Sequence, residues 1–332
     1  MSVENVRLGV VGLGWFGGVL TESARATGLA DVVSCFARSE AARQAFAQTH
    51  ACRPAASLDA MLADPEVEGV LVVTPHSTHA KIVEEVASAG KHVFVEKPLT
   101  LTVAEARGAI DATERAGVTL QVGHNRRRQP ANRRIKAMLD AGDLGTVMQL
   151  EGIHTAPGAL SPDLASWRTD PAECPAGGMT ALGVHEVDTF HYLAGPAARV
   201  AAFSKRLAKL TDLDEATTVM IEFESGPLAY LGTTYFAPTV VTVAAYGTDA
   251  IVWNEQDGAK LFVQRRGEAA RSEEAVDTVD TTVDELAEFA RCIREGTRPE
   301  TGGPEGLEVA AVLEAAIESV ASGRAVELSD VR

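Results

Sequence analysis

The chain has 332 residues, of which 46% are hydrophobic and 23% are charged, and its formal net charge at pH 7 is −16. A chain of this length buries a large core without disulfides or a structural metal, and one large or two medium domains are expected. The acidic balance argues against nucleic-acid binding, and no apolar run reaches the roughly 18 residues that predict a membrane span.

Four cysteines are spread widely along the chain, at Cys35, Cys52, Cys174 and Cys292, and none forms a C-x-x-C pair. This spacing predicts reduced thiols. The N-terminus "MSVENVRLGVVG" is charged from the start and has no apolar signal core. We therefore expect a cytoplasmic protein.

Short apolar segments alternate with amphipathic segments in the first third of the chain. The apolar segments are "RLGVVG", "DVVSCFA", "GVLVVT", "HVFVE" and "TLQVG". Continuous apolar strands are typical of a parallel sheet covered on both faces. The predicted helices run from Trp15 to Gly28, from after Thr78 to Gly90, and from the capping box Thr102-x-x-Glu105 to Gly117. This βαβ repetition predicts an α/β, doubly wound sheet.

The pattern changes after about residue 124. The segments "TVMQLEGIHT", "RVAAFSKRLA", "EATTVMIEFE", "LAYLGTTYFA" and "VTVAAYG" predict antiparallel strands of one sheet with one covered face. A helix is predicted from Gly177 to Leu193, and two more near Val283–Glu295 and Pro304–Ala321.

A glycine fingerprint follows the first predicted strand. "VVGLGWFGG" contains Gly12-x-Gly14-x-x-Gly17 where a strand turns into a helix. The first glycine permits the tight turn, the second lets the backbone approach a pyrophosphate, and the third lets helix and strand pack closely. A purely structural glycine turn is the alternative. The predicted cofactor-binding residues of this stretch are Gly12, Leu13, Gly14, Trp15, Phe16 and Gly17.

The end of the second strand bears on the choice of cofactor. An NAD site usually has an acidic residue here for the ribose 2′-hydroxyl, but "SCFARSEAAR" has Ala37, Arg38 and Ser39. Arg38 also stands at a helix start, where the dipole disfavours a cation unless an anion binds beside it. We expect Arg38 and Ser39 to contact the cofactor and NADP(H) to be preferred, with NAD(H) still possible. The alternative is a solvated surface arginine.

Charged residues stand at the end of the predicted strand "HVFVE", where Glu96 and Lys97 are followed by Pro98. Ligands of open α/β sheets bind at the carboxyl ends of strands. We therefore expect Lys97 to take part in the chemistry, either as a desolvated base or as a cation that polarises the substrate oxygen. A surface Glu–Lys tip is the alternative.

The stretches "GLGWFGG", "TPHSTHA", "VEKPLT" and "GGMTALGVHEVD" together resemble the glucose-fructose oxidoreductase/inositol dehydrogenase/MocA (Gfo/Idh/MocA) family over nearly the whole chain. The resemblance implies an N-terminal Rossmann domain and a C-terminal α+β domain with a large, mostly antiparallel open sheet. It implies NAD(P)-dependent chemistry on sugars, cyclitols or related compounds, and homodimers or homotetramers formed through the sheet. We place the NAD(P)-binding domain at 1–123 and the substrate-binding and oligomerisation domain at 124–332, with the last helix packing back on the first domain.

The resemblance also implies roles for individual residues. It places Thr74, Pro75, His76 and His79 beside the nicotinamide ribose, and Glu96 and Lys97 at the cofactor, with a Lys97–Pro98 bond that is often cis in the family. Trp167 and Arg168 resemble a pair that reaches the cofactor. The alternative for His79 is that it simply begins a helix. The alternative for the other pair is a packed Trp167 ring beside a surface cation, Arg168.

His185 resembles the catalytic histidine of the family, and Asp188 lies three residues further on the same helix face. Lys97 and His185 are therefore the predicted catalytic residues, and Asn125 and Asp188 join them as predicted substrate-binding residues. The inositol-type aspartate is replaced by Ala181, so an inositol is a doubtful substrate. His124 and Arg128 suggest a polar or cationic pocket.

The leading prediction is an NADP(H)-preferring dehydrogenase or reductase of a small sugar, cyclitol or related hydroxy or carbonyl compound. The replacement at Ala181 keeps open a redox-cycling lyase or glycosidase of the same family, and a non-catalytic dinucleotide sensor is a further alternative. No metal is expected, because Cys174, His185 and His191 lack compact ligand spacing. A Ser/His/Asp hydrolase lacks its G-x-S-x-G elbow.

Overall fold

The structure is a computed structural model that describes residues 4–160 and 167–332. The chain divides into two compact units. The first contains Met1–Thr100, Ala104–Asn125 and Asp280–Leu307, and the second contains Leu101–Val103, Arg126–Val279 and Glu308–Arg332. No helix among the described residues is both long enough and apolar enough to cross a membrane.

The secondary structure is mixed throughout. In chain order the strands are β1 (Val6–Val11), β2 (Ala30–Phe36), β3 (Arg53–Pro54), β4 (Gly69–Val72), β5 (His92–Val95), β6 (Leu120–Val122), β7 (Val147–Thr155), β8 (Ala197–Lys205), β9 (Ala216–Phe223), β10 (Leu228–Thr234), β11 (Val240–Gly247), β12 (Ala250–Glu255), β13 (Lys260–Arg265), β14 (Ser272–Glu274) and β15 (Val326–Glu327). The α-helices are α1 (Trp15–Ala26), α2 (Glu40–His50), α3 (Leu58–Leu62), α4 (His79–Ser88), α5 (Val103–Ala116), α6 (Pro130–Asp140), α7 (Val184–Ala194), α8 (Thr281–Glu295), α9 (Gly303–Ser322) and α10 (Leu328–Val331).

The first unit contains the predicted doubly wound sheet. Its six strands have the order β3-β2-β1-β4-β5-β6, and every adjacent pair is parallel. All four residues of β4 are buried, as are the last three of β5, because helices cover both faces of such a sheet. The order is that of a Rossmann fold, which confirms the prediction. The carboxyl ends of β1, β4 and β5 therefore lie side by side.

The predicted helix ends of this unit are also confirmed. Gly28, Gly90 and Gly117 have φ of +65°, +71° and +67°, the left-handed conformation that stops a helix and that glycine adopts without strain. α5 begins at Val103, directly after Thr102. The capping bonds between Thr102 and Glu105 stay a prediction.

α8 extends the core of the first unit, although the sequence placed it in the range 124–332. The ring of Phe289 lies 5.8 Å from that of Phe94 on β5, and both residues are fully buried. The amide of Gln121 donates to the carbonyl of Glu285 over 2.9 Å. An amphipathic pattern shows that a helix has an apolar face, but not which core that face covers, and this is why the predicted boundary differs from the observed one.

The second unit is built on one nine-stranded sheet with the order β14-β13-β12-β11-β7-β10-β9-β8-β15. The mostly antiparallel sheet is confirmed, but the prediction that all five recognised strands are antiparallel is wrong for one pair. β7 and β10 are parallel neighbours. Alternation of polar and apolar residues identifies a strand and its faces, but not its partner or direction. The prediction also missed β12 to β15 and α6.

The predicted helix Gly177–Leu193 is wrong in its first part. Met179–Gly183 forms a π-helical turn, and the α-helix begins only at Val184. A Cβ at Gly177 would collide with the carbonyl oxygen of Asp214, so a close backbone approach fixes the entry to this segment. Single π-turns inside helices are frequent at functional sites.

One face of the second sheet is covered and the other is open. α7 packs on the covered face, since a Cβ at Gly152 of β7 would lie 2.8 Å from the ring of Phe190. Ser319 of α9 accepts a hydrogen bond from the backbone of Ala202 on β8. On the open face Phe203 is 75% exposed and Met220 is 51% exposed.

Candidate active site

The glycine-rich turn joins β1 to α1. Gly12 has φ +97°, and a Cβ there would collide with the carbonyl oxygen of Val73. A Cβ at Gly17 would collide with the carbonyl oxygen of Gly12. The packing of the protein itself therefore requires both glycines. Gly14, the N-cap of α1, differs because the space beside its Cα is open.

Three larger residues occupy the same turn. Leu13 and Phe16 pack against the core of the first unit. Trp15 is 81% exposed, and its ring lies 5.6 Å from that of Phe16. An indole this exposed at a helix start is a large apolar surface that a ligand could cover.

The loop after β2 contains the residues predicted to choose the cofactor. Arg38 and Ser39 are exposed, and the Oγ of Ser39 caps α2 by accepting a hydrogen bond from the N–H of Ala42 over 3.3 Å. Arg43, which the sequence analysis did not identify, donates from Nη1 to the carbonyls of Ala37 and Arg38 over 2.7 and 3.2 Å. The loop is therefore tied to α2 at three points.

His79 connects the loops that follow β4 and β5. Its imidazole is fully buried, with Nδ1 2.8 Å from the carbonyl oxygen of Pro98 and Nε2 2.9 Å from that of Thr74. A neutral imidazole can donate to one of these oxygens, and an imidazolium to both. His76 is also buried, with its ring 5.8 Å from that of His79. His79 therefore does more than begin α4, because it also links the loop after β4 to the loop after β5.

Glu96 and Lys97 follow β5 at the carboxyl edge of the sheet. The N–H of Glu96 continues the ladder to the carbonyl of Val72 over 2.9 Å, and its side chain is buried against Gly123. Lys97 is half-buried, and the Lys97–Pro98 peptide bond is cis, as the resemblance implied. The sheet thus brings the glycine turn, the Thr74–His79 loop and the Glu96–Lys97 pair to one edge.

Asn125 also belongs to the first unit. Its Nδ2 donates to the Oγ1 of Thr281 at the start of α8 over 3.0 Å. The predicted substrate-binding residue therefore has a structural contact as well.

In the second unit, His185 is half-buried on α7, and its ring lies 6.0 Å from that of His154 on β7. The Nδ1 of His154 lies 2.9 Å from a carboxylate oxygen of Glu186, and both residues are almost fully buried. The other oxygen of Glu186 lies 3.6 Å from the Nη1 of Arg126. Beside His185 the buried carboxylate of Glu186 therefore fixes the ring of His154 and pairs with the partly exposed Arg126.

Asp188 forms a buried ion pair with Arg127. The Nη2 of Arg127 donates to Oδ1 over 2.6 Å, and its Nε donates to Oδ2 over 3.1 Å. The guanidinium also lies 5.2 Å from the centre of the Tyr192 ring. Arg127 thus engages both carboxylate oxygens of Asp188, and substrate binding by Asp188 stays a prediction. Asp188 therefore neutralises Arg127, and Glu186 and Asp257 neutralise Arg126.

Trp167 and Arg168 contact each other, with the guanidinium 4.3 Å from the centre of the indole ring. They begin the second described part of the chain. Ala181, the position at which the resemblance implied an aspartate in inositol-type members, is 8% exposed and belongs to an apolar cluster with Leu213 and Tyr235. Burial raises the pKa of Tyr235. A carboxylate at position 181 would be poorly solvated there.

Comparisons with known proteins agree with this geometry. Residues 6–124 match the profile described as "Oxidoreductase family, NAD-binding Rossmann fold", and residues 132–252 match the "GFO/IDH/MocA C-terminal domain". The chain belongs to the Gfo/Idh/MocA oxidoreductase family.

Similar members of the Gfo/Idh/MocA family include curated enzymes and solved structures. Scyllo-inositol 2-dehydrogenase (NAD(+)) of Bacillus subtilis (strain 168) is 30% identical over 263 residues, which are 72% of this chain and 71% of that protein. The 1,5-anhydro-D-fructose reductase of Ensifer adhaerens is 27% identical over 92% of both chains. The crystal structure of an oxidoreductase from Desulfitobacterium hafniense dcb-2, provisionally described as NADPH-dependent, superposes with a TM-score of 0.94 at 30% identity over 99% of both chains.

This Gfo/Idh/MocA protein is thus an NAD(P)-dependent oxidoreductase of the dehydrogenase and reductase type. The residues at the carboxyl edge fit such a cofactor, because Gly14 leaves space at the start of α1, where backbone N–H groups have no helical acceptors and attract phosphate. Nicotinamide supplies the hydride acceptor or donor. In the described ranges no group of three or more His, Cys, Asp or Glu residues could hold a metal ion.

Three residues of this Gfo/Idh/MocA protein were not predicted from the sequence: Arg43 in the first unit, and His154 and Glu186 in the second. A signal for His154 was present, because it is a polar residue on the buried side of the alternating strand β7. Glu186, directly after His185, faces the interior where a charge needs a partner. Nothing in the sequence connects Arg43 to the preceding loop.

Proposed function

We propose that the protein is an NADP(H)-preferring oxidoreductase that transfers a hydride between nicotinamide and a sugar, cyclitol or related hydroxy or carbonyl compound. The observation that carries the cofactor preference is the loop after β2. It presents Arg38 where NAD sites place an acidic residue, and it contains no carboxylate before Glu40. The provisional NADPH dependence of the D. hafniense relative supports the same choice.

The variant Arg38→Ala tests this preference. It should weaken NADP(H) binding by about 2–4 kcal/mol, because two or three charge-assisted hydrogen bonds are lost, and leave NAD(H) binding nearly unchanged. Calorimetric titration of both cofactors into the parent and the variant measures the effect. Equal affinities in the parent protein would refute the preference.

For the chemistry we assign the acid–base role to His185 and charge stabilisation to Lys97. Oxidation of an alcohol releases a proton to a base within hydrogen-bond reach, and histidine titrates in the useful range without special tuning. His154, held by Glu186, orients the surroundings of His185. The half-buried Lys97 can polarise the reacting oxygen as a cation or accept its proton if it is desolvated.

The substrate class rests on the relatives, whose names include reductases and dehydrogenases of 1,5-anhydro-D-fructose, D-apiose and inositols. A screen of sugars, cyclitols and small carbonyl compounds with NADP(H) and NAD(H), monitored by nicotinamide absorbance, tests the proposal. We expect turnover with at least one polyol or its carbonyl counterpart, faster with NADP(H). Failure of every such compound with both cofactors would contradict it.

A second candidate function is a redox-cycling lyase or glycosidase, which the apolar surroundings of Ala181 favour. Such an enzyme oxidises its substrate transiently and regenerates its cofactor. Product formation without net change in free NADP(H) would select this alternative over the dehydrogenase.

We further propose that the protein forms a homodimer or homotetramer through the open face of the second-unit sheet. Exposed apolar side chains on neighbouring strands of that face support this, since isolated monomers rarely expose large apolar patches. A cytoplasmic location is proposed on the ground that four widely spaced cysteines suit a reducing compartment.

A further inference from the structure

Arg43 folds back from the first turns of α2 onto the loop that precedes the helix. One nitrogen, Nη1, donates to both the carbonyl of Ala37 and the carbonyl of Arg38, and the guanidinium lies 5.7 Å from the centre of the Phe36 ring. A single side chain thus contacts every residue between the end of β2 and Ser39. The two bonds fix the orientation of two consecutive peptide groups.

The direction of these peptides has a consequence for the loop surface. In a trans peptide the carbonyl and the following N–H point to opposite sides. Because Arg43 draws the carbonyls of Ala37 and Arg38 toward itself, the N–H groups of Arg38 and Ser39 face away from it. Within the described residues neither N–H meets a backbone or side-chain acceptor.

The charge of Arg43 is also unusual in a protein with a net charge of −16. Arg43 is half-buried, and in the parts of the chain that the structure describes neither it nor Arg38 forms a salt bridge. Both stand at the start of α2, where the helix dipole disfavours a cation. A guanidinium kept there without a carboxylate serves the loop carbonyls.

We propose that Arg43 is a positioning residue for cofactor choice. By holding the loop carbonyls it presents the Arg38 side chain and the outward N–H groups to the ribose 2′-position, and so sets the ratio of NADP(H) to NAD(H) affinity. The inference rests on the proposed role of Arg38. It adds a residue that acts through that loop and does not itself contact the cofactor.

Titrations of NADPH and NADH into the full-length parent, Arg38→Ala, Arg43→Ala and the double variant test the proposal. We expect Arg43→Ala to weaken NADPH binding about 10-fold, the scale of one lost hydrogen bond of about 1.4 kcal/mol, and NADH binding less than about 2-fold. In the Arg38→Ala background the same change should weaken NADPH binding by clearly less than about 10-fold, because only the outward N–H groups then remain to be positioned.

Two further measurements separate this role from simpler ones. Arg43→Lys keeps a cationic donor and should recover part of the NADPH affinity. Lys81→Ala on α4, where the exposed Lys81 pairs with Glu85, is the matched control for the lost charge and should change neither affinity. The melting temperature of each variant shows whether the fold is intact.

The outcomes that overturn the proposal are distinct. Equal losses for NADPH and NADH would make Arg43 a purely structural residue. Full additivity with Arg38→Ala would instead mean that Arg43 contacts the 2′-phosphate directly. A parent without NADP(H) preference would refute the proposed cofactor choice, whereas a changed affinity ratio in Arg43→Ala relative to that parent would still support the positioning role.

Discussion

Lys97 occupies the position immediately beyond two buried residues, Val95 and Glu96, and its peptide bond to Pro98 is cis. Its backbone N–H lies 3.4 Å from a carboxylate oxygen of Glu96. An ammonium on a half-buried stem at the carboxyl edge of a parallel sheet stands where such folds bind their ligands. The position of Lys97 therefore agrees better with a role in the transition state than with a lysine that is merely solvated at the surface.

The variant Lys97→Met tests this role. It keeps much of the side-chain volume and removes the charge, so kcat should fall by roughly 10²–10⁴, the usual size of an acid–base contribution. Cofactor affinity and melting temperature should change little, since the proposed phosphate-binding site is the glycine turn. Lys81→Met on α4 is the control. A near-normal kcat would leave Lys97 without a catalytic role, and a collapsed melting temperature would make it structural.

His185→Ala should be comparably damaging to kcat. If both residues serve the same chemical step, the double variant should be little worse than either single variant, because groups that act together are strongly non-additive. Steady-state kinetics of the three variants decide this. Multiplicative losses in the double variant would show that the two residues serve separate steps.

Ala181 predicts altered substrate handling rather than a dead enzyme. It lies in an apolar cluster with Leu213 and Tyr235, so the site has no carboxylate at this position to orient a histidine. We expect myo-inositol to be a poor substrate in a broad screen of kcat/KM. The prediction fails if myo-inositol proves the best substrate.

At the scale of elements, α8 has a clearly defined start. Asp280 caps it, with Oδ1 accepting hydrogen bonds from the N–H groups of Thr282 and Val283 over 3.0 and 3.1 Å and from the Thr282 hydroxyl over 2.7 Å. Partial burial raises the pKa of Asp280, but the Thr282 hydroxyl and the two N–H groups outweigh it and hold this pKa below its usual range. The cap supports a helix that carries Phe289 into the core of the first unit.

Replacing Asp280 with alanine should therefore destabilise the protein by about 1 kcal/mol, the typical cost of losing a cap. Because the folded-state pKa is lowered, the charge-dependent part of this stabilisation is complete above the unfolded pKa of about 3.9 and is lost as the pH falls through the folded pKa. Asp280→Asn keeps the capping oxygen and is the matched control. Denaturant unfolding at neutral and acidic pH measures both; an unchanged midpoint for Asp280→Ala would argue against the cap.

For the whole molecule, the open face of the second-unit sheet is the feature that a single chain leaves unexplained. Phe203 on β8 and Met220 on β9 lie on adjacent strands and point outward. Tyr230 pairs with Met220 from β10. Stable homodimer interfaces combine such apolar centres with a polar rim and bury about 800 Å² or more per partner.

Phe203→Glu and Met220→Glu should shift the protein toward the monomer, because a carboxylate at the centre of an interface loses its solvation. Val320→Glu on the exposed side of α9 is the control for adding a charge in place of an apolar residue. Sedimentation velocity gives the distribution of species. Unchanged oligomers in both sheet variants, or a monomeric parent, would contradict the proposed assembly.

The sequence by itself determined those parts of the protein that have a regular hydrophobic periodicity. Strand and helix periodicity predicted the doubly wound domain, with five of its six strands, and the existence of a second sheet, because burial on one or two faces leaves a local pattern. Gly12 and Gly17 could be identified because a turn and a close packing contact each exclude a side chain. The charged end of β5 could be identified because a glutamate followed by a lysine at the end of an apolar strand indicates a functional role.

Only the tertiary structure decided which distant segments meet. The parallel pairing of β7 with β10, the transfer of α8 to the first core and the burial of Asp188 against Arg127 each join residues far apart in the chain. Local patterns define a face and a direction of burial, but the partner is chosen by packing and by the pairing of buried charges. For the same reason Arg43 and the pair of His154 with Glu186 became visible only once the fold had brought their partners within hydrogen-bond distance.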